Sequence, residues 1–364
     1  MLVPVAAADA LARLAEFSDV IDARSESEYA LDCIPGALNW PSLNDAERIL
    51  VGTEYKQVSP FVAQKRGAAL VARNIANHIE RHVLDKPKHW QPLVYCWRGG
   101  KRSGSLALVL SQIGFRVHIL EGGYQQYRRA VLSALEVLPA QLQYRVVCGT
   151  TGSGKSRLLH ALRDQGAQVL DLEALANHRG SVLGLVPGDK QPGQKQFESR
   201  VWDALRGFDA TRPVFIESES KKVGDLRVPL ALVERMRVSP CIQLDLALDA
   251  RVALLIEDYS FFVSDTAAFC GRLDALRASR GHAVVNAWQE AARAGRTAEV
   301  VRELLLTHYD PNYLQSMKRN FANVTAPQLT LNWDGSAASL QSAASTAITA
   351  ITAITADAAA AASS

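Results

Sequence analysis

Tyr144-Arg145-Val146-Val147-Cys148 leads into Gly149-Thr150-Thr151-Gly152-Ser153-Gly154-Lys155-Ser156, and a helical run follows to Asp164. No other stretch of the 364 residues restricts the fold so tightly. An apolar strand entering a G-x-x-x-x-G-K-[ST] loop that opens a helix is a unit whose backbone amides converge on an anion. The loop amides are placed to cradle a diphosphate, and Lys155 to neutralise its charge. Ser156 is placed to hold Mg²⁺ where one is present. A strand of this kind belongs in a mostly parallel sheet covered by helices.

The rest of the chain agrees with an α/β fold. Asp19–Asp22, Leu93–Cys96 and Val117–Leu120 are short apolar runs, and the residues from Gly104 to Ile113 read as a helix between the last two. Val169–Asp171, Val214–Glu217 and Ile242–Asp245 repeat the pattern after the glycine loop. Beyond about Arg251 the pattern turns helical, to about Asn320. We expect two α/β domains, residues 1–138 and 139–335, the second with a helical C-terminal part. Residues 336–364 are mostly Ala, Ser and Thr with few large apolar side chains; they are expected to form a frayed helix or no structure. The Gly/Pro/Gln-rich run 181–196 reads as a binding segment or a linker.

A second loop carries chemistry. Cys96-Trp97-Arg98-Gly99-Gly100-Lys101-Arg102-Ser103 leaves one apolar run and enters a helix. Cys96 then stands at the carboxyl end of a parallel strand, where such sheets place ligands. Gly99 and Gly100 let the backbone curl into an anion cradle, and Arg98, Lys101 and Arg102 add positive charge. This field favours a thiolate, suited to carrying a sulfur-like atom or attacking a phosphoryl group. In the second domain Asp171, Glu217 and Glu219 are candidate carboxylates for a metal. His178 is a candidate base or phosphate ligand, and Arg179 a candidate phosphate contact.

Five scattered cysteines without metal-ligand spacing argue for a reducing compartment. The N-terminus lacks a basic signal-peptide flank, and no apolar stretch is expected to reach the roughly 18 residues a membrane span needs. The net charge of +3 permits an acidic partner without demanding one. A cytoplasmic protein with no membrane partner and no tightly bound cofactor is expected; oligomeric state is open.

Val20-Ile21-Asp22-Ala23-Arg24, Ile34-Pro35-Gly36-Ala37, the Cys96 loop and Glu121-Gly122-Gly123 together resemble the rhodanese pattern over about residues 3 to 135. Arg102 lies six places after Cys96, whereas small rhodaneses close this loop one residue sooner. The longer loop is like that of cysteine phosphatases and suits a larger tetrahedral oxyanion. A rhodanese-like domain followed by a P-loop NTPase-like domain resembles the tRNA 2-selenouridine synthase family. Asp171-Leu172-Glu173, Glu217-Ser218-Glu219-Ser220 and Tyr309-Asp310-Pro311-Asn312-Tyr313 add to the likeness. The resemblance implies a tRNA substrate with 2-thiouridine at the wobble position. It implies S-geranylation from geranyl diphosphate and then replacement of the S-geranyl group by selenium from selenophosphate. Cys96 would be nucleophile and selenium carrier. The residues alone leave open a P-loop kinase or NTPase with an appended sulfurtransferase domain, or an anion-holding RNA-binding protein.

Overall fold

Apolar strand runs and capped helices alternate from the first residues of the computed structural model, which describes residues 1–178, 190–260 and 265–362. The chain divides into two compact units. The first comprises Met1–Glu136 and Pro192–Asp203. Its elements run β1 (Leu2–Val5), α1 (Ala7–Ala12), β2 (Val20–Asp22), α2 (Glu26–Leu31), β3 (Leu38–Asn39), α3 (Asp45–Gln57), α4 (Pro60–His82), β4 (Leu93–Tyr95), α5 (Lys101–Ile113), β5 (Val117–Leu120) and α6 (Gly123–Gln141). The strands form a parallel sheet in the order β1-β5-β4-β2-β3. Leu93, Val94 and Tyr95 of the central β4 are wholly buried, as a parallel strand covered on both faces requires. Local signals set the helix ends. The Asn44 side chain accepts the Glu47 N–H while Glu47 reaches back to the Asn44 N–H, a capping box that starts α3. Ser59 caps α4 with Pro60 in its first turn.

The second unit comprises Val137–Gln191 and the residues from Ala204 onward. It contains β6 (Gln143–Cys148), α7 (Lys155–Asp164), β7 (Gln168–Leu170), α8 (Leu172–Leu175), β8 (Pro213–Glu217), the small antiparallel pair β9 (Lys222–Val223) and β10 (Leu226–Arg227), α10 (Leu230–Val238), β11 (Cys241–Asp245), α11 (Leu248–Asp258) and β12 (Leu329–Asn332). Helix α9 (Gln194–Arg206) lies mostly in the first unit. The larger sheet is parallel with order β12-β11-β6-β8-β7, so β6 is central. Between α11 and β12 the helices Thr266–Leu273, His282–Arg293 and Thr297–Leu304 close over their own core of Phe269, Leu273, Trp288 and Val300.

Several expectations are corrected. Helix α5 begins at Lys101, three residues earlier than the sequence suggested, so Lys101, Arg102 and Ser103 occupy its first turn. Strand β12 was not anticipated. Residues 192–203 pack with the first unit although they follow the phosphate loop in sequence: Arg128 donates to the Lys195 carbonyl and Ser199 Oγ and pairs with Glu198. Residues 181–189 of the Gly/Pro/Gln-rich run lie outside the described residues.

The Ala/Ser/Thr segment is not frayed over its described length. It forms the helix Ala337–Ala362, and Leu340, Ala343, Ala344, Ala347 and Ile351 join the core with Leu158, Leu159 and Leu162 of α7. Alanine at this spacing gives a flat stripe that lets two helix backbones approach closely, so close contact replaces side-chain volume. The portion Ala337–Thr355 is long and apolar enough to cross a membrane by length and composition, contrary to expectation, but its apolar stripe faces this core.

Candidate active site

The cysteine loop joins β4 to α5. Cys96 is buried at 3% exposure, and the Ser103 hydroxyl donates to its Sγ at 3.1 Å. The same hydroxyl also lies 3.4 Å from the Gly100 carbonyl oxygen, so Ser103 ties the sulfur to the turn that opens α5. The loop is held by the turn after β5. Tyr124 N–H donates to the Cys96 carbonyl at 2.8 Å and Gln125 N–H to the Trp97 carbonyl at 3.1 Å, so two otherwise orphaned amides at the start of α6 grip the loop. Two glycines make this approach feasible. Gly99 has φ +68°, and a Cβ at Gly123 would stand 2.2 Å from the Cys96 carbonyl oxygen.

Arg102 does not stand as a free cation. Glu28 accepts from its Nη1 at 2.8 Å and also pairs with Arg48, while Ser42 Oγ donates to the Arg102 carbonyl. Glu28 therefore orients the guanidinium, and these cations hold its carboxylate below the usual range against the opposing effect of burial. Arg98 and Lys101 are exposed. Trp97 stacks on Tyr124 with ring centroids 5.3 Å apart. Beneath the loop, Arg24 forms a buried pair with Asp22, donates to the Asp32 carbonyl at 2.6 Å and lies 3.9 Å over the Tyr124 ring. The Asp-x-Arg at the end of β2 is thus a strut for Tyr124, whose own hydroxyl donates to Asp32.

The phosphate loop joins β6 to α7 as its spacing predicts. Gly149 N–H donates to the Tyr313 hydroxyl at 2.9 Å, and Lys155 Nζ donates to the Gly149 carbonyl at 2.8 Å. Arg251 donates twice to the Thr151 carbonyl and forms a two-point pair with Asp310. Trp333 Nε1 donates to the Ser153 carbonyl at 2.8 Å, and its ring fills the space where a Cβ at Gly154 would stand. Gly152 and Gly154 have φ of +77° and +87°, which only glycine adopts without strain. The Thr150 carbonyl accepts the Ser153 N–H, closing the loop as a turn.

The acids around this loop sort differently from their order in the sequence. Ser156 Oγ donates to Glu173 Oε2 at 3.0 Å, and Glu217 Oε1 accepts the Glu173 N–H at 2.9 Å. Burial is the main force pushing Glu173, Glu217 and Glu219 upward; the charge of Glu173 adds to it at Glu217 and Glu219, whereas at Glu173 itself Lys155 and the Ser156 hydroxyl oppose it; Glu219 is pushed up to about 8. Asp171 lies beside this group but is engaged elsewhere. It caps α8 by accepting the Ala174 N–H, and meets His160 at 3.1 Å and Arg163 at 3.6 Å. His178 makes no described hydrogen bond to the acids. Its Nδ1 is buried without a partner, and burial lowers its basicity. Arg179 lies outside the described residues.

Glu173, Tyr313 and Arg251 were not singled out as site residues. Glu173 and Tyr313 stood in the runs 171–173 and 309–313, but nothing in their spacing says which side chains turn toward Ser156 or Gly149. Two basic residues upstream of the cysteine loop are held in ion pairs, Arg66 with Glu54 and Lys86 with Asp19.

These features define a class of protein: two α/β units, one with a cysteine loop and one with a phosphate loop, each at the carboxyl end of a central parallel strand. Residues 6–130 match the Rhodanese-like domain, and residues 142–275 match the tRNA 2-selenouridine synthase AAA domain. The tRNA 2-selenouridine synthase of Alcanivorax borkumensis is 32% identical over 337 residues, covering 84% of this chain and 91% of that protein. That of Bdellovibrio bacteriovorus is 31% identical over 350 residues, covering 84% and 90%. That of Nitrosomonas europaea is 37% identical over 246 residues, a match spanning 66% of this chain and 63% of the relative. The chain belongs to the tRNA 2-selenouridine synthase family.

Proposed function

We propose that this chain converts wobble 2-thiouridine of tRNA to 2-selenouridine in two steps, as a cytoplasmic enzyme. In the first, the thiocarbonyl sulfur attacks the geranyl carbon of geranyl diphosphate. A C–S bond forms as the C–O bond breaks, and the electron pair leaves on diphosphate. The phosphate-loop amides and Lys155 hold that diphosphate and stabilise the developing charge. Where Mg²⁺ takes part, Ser156 and Glu173 are the pair that would hold it. In the second step selenium displaces the S-geranyl group, which alkylation has made a competent leaving group. Selenophosphate supplies the selenium, and Cys96 is the nucleophile that acts on it.

The buried Cys96 in its glycine loop, with the Ser103 hydroxyl 3.1 Å from its sulfur, carries this reading, because a module that only binds anions has no use for a nucleophile at that position. The test is nucleoside mass spectrometry after incubating the protein with 2-thiouridine tRNA, geranyl diphosphate and selenophosphate, omitting each donor in turn. Cys96→Ser is expected to abolish 2-selenouridine and leave S-geranylation largely intact. Lys155→Ala is expected to lower S-geranylation by about a hundredfold, the scale of losing one preorganised charge contact. An unmodified tRNA in every reaction, with ATP hydrolysed instead, would place the protein among P-loop NTPases with an appended sulfurtransferase domain.

A further inference from the structure

Selenophosphate offers a Cys96 nucleophile two atoms to attack, selenium and phosphorus. We propose that Cys96 attacks phosphorus, forming a phosphocysteine and setting free selenide, so that the rhodanese-like module is a selenophosphate-cleaving phosphoryl transferase. The inference rests on the proposed use of selenophosphate.

Electron counting gives the first argument. Selenium in selenophosphate is already at the level of selenide, and a cysteine thiolate is at the level of sulfide. Joining them as a perselenide removes two electrons from the pair. Those electrons must go to phosphorus, which then leaves as phosphite, or to an oxidant. Attack at phosphorus needs neither. The S–P bond forms as the P–Se bond breaks, and the electron pair leaves on selenium. Water then attacks phosphorus, the S–P bond breaks, and the products are orthophosphate and the free thiolate. Phosphorus stays at the phosphate level throughout, and the selenide is the nucleophile the S-geranylated base requires.

The geometry of the loop supplies the second argument. Between Cys96 and Arg102 lie five residues, and the loop closes on the first turn of α5. The helix start presents its amide end to an anion. Arg102 is oriented by Glu28 at 2.8 Å, and a guanidinium fixed in this way suits the paired oxygens of a phosphoryl group. Ser103 donates to Sγ at 3.1 Å. In the hydrolytic half-reaction the sulfur is the leaving group, so the same hydroxyl that steadies the attacking thiolate steadies the departing one. Selenide needs no such help, because hydrogen selenide is a far stronger acid than an alcohol and departs without a proton donor.

The experiment is an anaerobic reaction of the full chain with selenophosphate and no tRNA, followed by ³¹P NMR and by mass spectrometry after acid quenching. Orthophosphate and an adduct on Cys96 lacking the isotope envelope of selenium are expected. Both are expected to fall to the uncatalysed level in Cys96→Ser. Ser103→Ala is expected to slow orthophosphate release roughly tenfold and to let the phosphoryl adduct accumulate. Phosphite as product, a selenium-bearing adduct, or undiminished orthophosphate release by Cys96→Ser would each overturn the proposal. A second reaction separates this failure from failure of the functional reading: S-geranylated tRNA is given hydrogen selenide directly. Cys96→Ser is expected to form 2-selenouridine under those conditions, since selenide bypasses the cleavage step. Wild-type protein that forms none with either donor would sink the reading itself, whatever the loop does to selenophosphate.

Discussion

Glu219 stands two residues beyond the end of β8, yet it is pushed up to about 8, first by burial and then by the charge of Glu173. Glu217 and Glu173 are displaced in the same direction. A carboxyl whose folded value lies above its unfolded value of about 4.3 favours the folded state while protonated. That contribution is fully present below about pH 4 and is lost as pH rises through about 8. Thermal melts at pH 5, 6.5 and 8 are therefore expected to show falling stability, and Glu219→Gln to flatten that fall. Parallel curves for the two proteins would remove Glu219 as its source. The identity of the acid nearest Ser156 was not readable from the chain, because Asp171 and Glu173 lie two positions apart and only the short turn of α8 sends one to His160 and the other to Ser156. By contrast, Gly154 is fixed by the spacing of the phosphate-loop motif, and its φ of +87° and the close approach of Trp333 show why that position admits one residue type.

At the scale of elements, the helix Ala337–Ala362 shows how composition misleads where spacing does not. Its buried residues Leu340, Ala343, Ala344, Ala347 and Ile351 recur at helical intervals, and that period was present in the sequence. A scarcity of large apolar side chains predicts little burial, whereas packing against Leu158, Leu159 and Leu162 of α7 needs only small ones. Burying one Leu and one Ile alone contributes about 3–6 kcal/mol. Ending the chain after Gly335 is expected to lower the melting temperature of the second unit by about 10 °C. Calorimetry on the shortened chain checks this, and an unchanged transition would show the helix to be dispensable. Parallel strands such as β4 and β6 were easier to find, because a strand buried on both faces must be apolar at every position.

For the molecule as a whole, the boundary between units is not a single cut in the chain. The segment Pro192–Asp203 returns to the first unit, where Glu198 and Ser199 engage Arg128 and Trp202 meets the Tyr127 ring edge-on at 5.9 Å. A fragment ending at residue 138 leaves Arg128 without these partners and exposes the face of Tyr127. It is expected to be less soluble and to melt lower than the same fragment joined through a flexible linker to residues 192–206. Equal melting temperatures would show that the first unit is complete without the segment.

Short-range chemistry was legible throughout. Glycines where backbone must turn or approach, a lysine and serine opening a helix, a cysteine at a strand end and uninterrupted apolar strands all depend on neighbours within a few residues, so their spacing suffices to read them. The grip of Tyr124 on the cysteine loop, the seating of Tyr313 and Arg251 against the phosphate loop, the choice of Glu173 over Asp171 and the return of residues 192–203 join positions far apart in the chain. Their energies come from burial and from pairing of polar groups removed from water. Only the assembled sheet, which sets which distant residues become neighbours, could decide them.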